Sequence, residues 1–174
     1  MSGTATRTRI KVETRSKKRA TRVRNIAGQP IAPTNFVDVY RAASMDRIGA
    51  IKAGVPATSV TEIAKSMGMS QERIFLALGL PRATINRKIR THKALTADEG
   101  ESVVGFAKLV GQVQVMVEES GKPKGFDAAK WFADWIEEPL PALGGRKPIE
   151  FMDTAEGRDL ISGILRRMQS GAYA

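Results

Sequence analysis

Arg82, Asn86 and Arg90 stand four residues apart, with Arg87 and Lys88 between them. Side chains at that spacing share one face of a helix. Their chemistry is recognition rather than bond-making. A guanidinium donates two hydrogen bonds to the O6 and N7 edge of guanine, and a carboxamide matches the N6 and N7 edge of adenine. Lys88 suits a phosphate, and Thr84, on the first turn of the same helix, joins the set. Gln71, at the start of the preceding helix, is placed to hold the nucleic-acid backbone or an adenine edge. The competing reading of such a run is a solvated helix face.

Bond-making groups are scarce. The chain has 0 Cys and 1 His, His92, so it offers no thiolate and no set of zinc ligands. It has no glycine-rich phosphate loop. Its paired carboxylates, Glu118-Glu119 and Glu137-Glu138, are sequence neighbours, and their side chains diverge. No catalytic residue, metal or cofactor is expected, and an enzyme is disfavoured.

The basic helix needs elements to hold it. Pro81 suits the first helical position, and Ile85 and Ile89 give the helix one apolar stripe. Upstream, Ser59-Val60-Thr61-Glu62 reads as a capping box whose helix points Ile63, Ala64 and Met67 inward and stops at Gly68. Ser70 caps the next helix, with Ile74, Phe75 and Leu78 inward, and Gly79 stops it. Two helix-turn-helix registers fit. In one, Gly68 is the turn and residues 71–78 read. In the other, Gly79 is the turn, Ile85 is the buried residue and residues 81–91 read. Packing favours the first, because Phe75 sits where the second wants a small residue. Charge favours the second, because the first exposes only Gln71, Glu72 and Arg73, and a carboxylate is repelled by phosphate, so residues 81–91 are taken as the reading helix.

Charge also divides the chain. Residues 1–93 hold 19 Lys+Arg against 5 Asp+Glu, whereas residues 94–174 hold 9 against 13. The first half attracts a polyanion, and the second must face something else, such as a protein. Residues 1–28 carry nine of the cations among Ser, Thr and Ala without an apolar period, and read as a basic arm. Pro30 and Pro33 mark a linker, so residues 1–34 form the first segment. Asn35 to Ile51 carries Phe36, Val39, Tyr40, Ala43, Ile48 and Ile51 at mostly helical spacing, and opens a domain running to residue 95. Thr96-Ala97-Asp98-Glu99 is a second capping box, heading a helix of about residues 97–119 whose stripe includes Val103, Phe106, Val110, Val113 and Val117. Gly105 and Gly111 allow a close helix approach there. Phe126 to Ile136 reads as a helix bearing Trp131 and Trp135, Pro148 to Met152 as one helical turn, and Asp153-Thr154-Ala155-Glu156 as the opening of a last helix. That helix turns Leu160, Ile161, Ile164, Leu165 and Met168 inward. The fold expected is all-α. No run approaches the roughly 20 apolar residues of a membrane span. With no cysteine and no secretory pattern, the chain reads as cytoplasmic.

The segment from Trp131 through Pro139, Ala142-Leu143-Gly144-Gly145 and Pro148-Ile149 to Thr154-Ala155-Glu156-Gly157, with Gly171 after the last helix, resembles the C-terminal domain of the Xre/ParS/MbcA antitoxins. Pro81-Arg82-Ala83-Thr84-Ile85 with Arg87 is similar to that family's Xre-type helix-turn-helix. The resemblance covers roughly residues 45–174 and leaves out the basic arm. It implies an N-terminal DNA-binding domain and a toxin-binding domain at residues 96–174. It further implies a cognate RES-domain toxin that consumes NAD or uses it to modify a target, whose active-site cleft this domain covers. The DNA-binding domain would bind operator DNA to repress the shared operon. A homodimer, which reads a two-fold operator, is expected. Arg158, Arg166, Arg167 and Tyr173, on the last helix and the tail, are the expected toxin contacts, since Arg is a frequent interface anchor and a tail can enter a cleft. Glu137 and Glu138 would suit a cleft basic enough to bind a dinucleotide. The alternative is a stand-alone transcriptional regulator whose acidic half serves dimerisation.

Overall fold

The structure is a computed structural model that describes residues 31–121 and 125–171. The expected arm of residues 1–28 and Tyr173 lie outside them. The described residues fold into helices α1 (Phe36–Arg41), α2 (Ser44–Ala53), α3 (Thr58–Met67), α4 (Gln71–Ala77), α5 (Arg82–Arg90), α6 (Ala97–Glu119), α7 (Ala128–Trp135) and α8 (Ala155–Gln169). Two short 3-10 turns, Pro141–Leu143 and Pro148–Phe151, lie between α7 and α8. Isolated bridges pair Pro56 with Ala94 and Leu140 with Arg146, and no strand forms among the described residues. The chain is all-α.

Helix α6 is the axis. The Thr96 hydroxyl accepts a hydrogen bond from the Glu99 N–H at 3.3 Å, and the Glu99 carboxylate accepts one from the Thr96 N–H at 2.7 Å, so the expected capping box is complete. The apolar stripe of α6 is buried, with Val103, Phe106 and Val110 each 0% exposed. Helices α1, α2, α7 and α8 pack around it, and α3 packs on α7. One hydrophobic core therefore runs through both halves, from Val60 and Ile85 to Phe132 and Ile161. Helix α1 lies so close to α6 that a Cβ at Gly111 would fall 1.9 Å from the Phe36 carbonyl oxygen. The Gln112 and Ser162 side chains hydrogen-bond each other at 2.7 Å in the interior, and the Gln112 amide donates to the Ser162 carbonyl at 3.0 Å, locking α8 to α6.

Three local expectations need correction. The run from Asn35 to Ile51 is two helices, not one, because Ala42 and Ala43 are extended. The Arg47 guanidinium folds back onto the carbonyls of Val39, Tyr40 and Ala42, supplying the partners that the end of α1 lacks. The Ser59–Glu62 capping box does not form. Helix α3 begins at Thr58 after Ala57, which places Ser59 inside the first turn and buries it. Leu160 is 45% exposed, because α8 is rotated so that Arg158 and Ser162 face α6 while Gly157 lies against Phe151.

Candidate functional site

Helix α5 is held by its apolar stripe and by one ion pair. Ile85 is fully buried and Ile89 packs against the core. The Lys88 ammonium binds the Glu99 carboxylate at the N-terminus of α6, with side-chain exposures of 14% and 13%. Lys88 is therefore a strut between α5 and α6, and its expected phosphate contact is withdrawn. Burial pushes the Glu99 carboxyl up, but the Lys88 ammonium and the Thr96 N–H and hydroxyl together hold it below its ordinary value of 4.5.

The outer face of α5 presents Arg82, Arg87 and Arg90, all exposed, with Thr84 and Asn86 half-buried beside them. Arg87 and Arg90 form no ion pair among the described residues. Arg82 reaches Glu72 at 2.8 Å, both side chains being about two-thirds exposed. Such a surface pair contributes little and yields readily to phosphate or a base.

Helix α4, the other candidate reader, is differently placed. Its Gln71 amide donates to the Thr61 hydroxyl at 3.1 Å. Its Arg73 pairs with Glu137, at the C-terminal end of α7, and Glu137 also lies 3.8 Å from Lys147. Gly79, which ends α4 with φ +63°, meets the loop before α8: a Cβ there would stand 3.1 Å from that of Asp153. The C-terminal half thus closes over one flank of α4, leaving a cleft of about 500 Å³ floored by Leu76, Ile149 and Asp153. The structure brings Arg82, Asn86, Arg87 and Arg90 together on one open helix and ties Gln71 into the frame. Glu137, expected to serve a partner's basic cleft, is engaged inside the chain.

The C-terminal candidates divide as well. Arg158 is 4% exposed and faces inward. It lies across Gly105 of α6, donates to the Met152 carbonyl at 2.8 Å and pairs with Glu101. It fastens α8 to α6 and is removed from the expected partner contacts. Arg166 and Arg167 are exposed on the last turn of α8. The Arg73–Glu137 pair between the halves was missed, because residues 64 apart in sequence carry no periodic signal linking them. Among the described residues no three His, Asp or Glu side chains gather to hold a metal ion, and no helix is long and apolar enough to cross a membrane.

These features define a class: a helix-turn-helix protein whose basic helix is held open by a second helical module packed behind it. Residues 46–108 match the antitoxin Xre-like helix-turn-helix domain, and residues 126–171 match the antitoxin Xre/MbcA/ParS C-terminal toxin-binding domain. A relative from Sphingobium sp. (strain YBL2), the Prs ADP-ribosylating antitoxin, is 44% identical over 154 residues, covering 88% of this chain and 97% of its own. The chain belongs to the Xre/MbcA/ParS family of antitoxins. It is a regulatory, toxin-binding protein and not an enzyme.

Proposed function

We propose that the chain neutralises a NAD-consuming toxin of the RES-domain type by covering its active-site cleft with residues 126–171, and that it represses its own operon through α5. The relative's name joins an antitoxin to ADP-ribosylation, a chemistry that draws on NAD. For the DNA arm, the observation that carries the reading is the contrast between an open α5, with Arg82, Arg87 and Arg90 outward, and an α4 hemmed in by Glu137 and Asp153. Arg82, Asn86 and Arg87 read bases, with Thr84 and Arg90 at the edges of the contact, and the arm of residues 1–28 binds phosphate without regard to sequence. Arg166, Arg167 and Tyr173 contact the toxin. Two copies sit on a two-fold operator.

The experiment is a NAD-consumption assay of the toxin encoded beside this chain, titrated with the purified antitoxin, run in parallel with gel shifts on the operon's own upstream DNA. Stoichiometric loss of NAD consumption is expected. Undiminished consumption at excess antitoxin overturns the reading and leaves the stand-alone regulator.

A further inference from the structure

Among the described residues, one end of the bundle carries an exposed apolar surface. Phe126 is 37% exposed and lies against Trp131, with ring centroids 6.1 Å apart, and Trp131 stacks on Trp135 at 5.8 Å. Met116, Val117 and Met168 complete a groove of about 260 Å³ where the C-terminal ends of α6 and α8 meet the start of α7. Ser120 and Gln169 stand at its edge, and the Gln169 amide donates to the Glu119 carboxylate at 2.9 Å. An aromatic and methionine centre with a polar edge is the composition of a protein-binding hot spot, with Met able to repack around a partner's side chain.

The occupant follows from what the rest of the toxin-binding domain already touches. The inner faces of α7 and α8 pack on α6. The far end of α7 is pinned to α4 through Glu137 and Arg73, and the loop at Asp153 is pinned to Gly79. The matched toxin-binding stretch begins at residue 126 and ends at residue 171, so its two ends bracket the groove. Position along α6 adds a second argument. Helix α5 is fixed to Glu99 at one end of α6, and the groove opens at Met116 near the other. At 1.5 Å per residue these points are about 25 Å apart.

We infer that this aromatic groove is the seat of the toxin, which inserts apolar side chains between Phe126, Trp131 and Met168. This rests on the toxin-binding function proposed above. The seat lies away from α5, so toxin and DNA bind the same copy together.

The test uses the full chain and the toxin encoded beside it. Phe126→Ser alters an exposed side chain and Met168→Glu a half-buried one, and Leu160→Ser, on another face of α8, is the control. The groove variants should weaken toxin binding by at least about tenfold, with helicity and operator gel shifts unchanged, while Leu160→Ser binds like the parent. In hydrogen exchange, toxin added to the unaltered chain should protect the amides around Phe126–Trp131 and Met168–Gln169, and a toxin-bound chain should still shift operator DNA. A parent chain that ignores the toxin overturns the proposed function itself. A parent that binds, with both groove variants binding equally well, overturns the seat alone, as does protection confined to the α4 cleft.

Discussion

Helices α4 and α5 are consecutive, similar in length and each introduced by a glycine with positive φ, Gly68 at +67° and Gly79 at +63°. Both carry arginine on an outer face, and helical periodicity alone does not say which reads DNA. Their surroundings separate them. The arginine of α4 meets a carboxylate of the toxin-binding domain, while those of α5 meet solvent or a surface carboxylate that lets go readily. A helix becomes a reader by what is kept away from it as much as by what it displays.

The largest expected effect bears on the joint between the two helices. Gly79→Val places a β-branched residue in a left-handed conformation and drives its side chain into Asp153, at a cost of about 2–4 kcal/mol. Thermal unfolding should show the loss, and an unchanged midpoint would mean that the C-terminal half does not press on this turn. Next come the proposed readers of α5. Arg82→Ala and Arg87→Ala should each lose about 1–3 kcal/mol of operator affinity and relax specificity at one base pair, with stability unchanged. Arg73→Ala should leave operator affinity intact. If gel shifts rank Arg73→Ala as damaging as Arg87→Ala, α4 is the reader. The smallest effect concerns how α5 is braced. The Glu99 carboxyl is held below its ordinary 4.5, so its contribution is present above that value and is lost as pH falls through the lower folded value. Glu99→Gln should cost about 1 kcal/mol at neutral pH and flatten the acid limb of a stability profile. An acid limb identical to the parent's would remove Lys88–Glu99 as a brace.

Much of this fold was legible because its signals are local. Thr96 with Glu99 announced α6, Ser70 announced α4, and Gly79 ended it. The misses share a physical origin. Arg158 and Leu160 are two residues apart, and a modest rotation of α8 exchanges which of them faces α6. Periodicity does not set that rotation; the space above Gly105 does, because it admits a guanidinium. Lys88 and Arg87 are neighbours of like charge, and only the position of Glu99 decides that one braces and the other reaches out. The break at Ala42–Ala43 carries neither Gly nor Pro, and depends on Arg47 satisfying the carbonyls of α1.

The seat of α1 on Gly111 also orders events at the ribosome. Residues 36–41 have no surface to dock on until the far half of α6 has left the exit tunnel. At about 5–20 residues per second that delay is roughly 4–15 s of synthesis. Throughout it Phe36 and Val39 stay uncovered, so the DNA-reading half matures only as the toxin-binding half is being made.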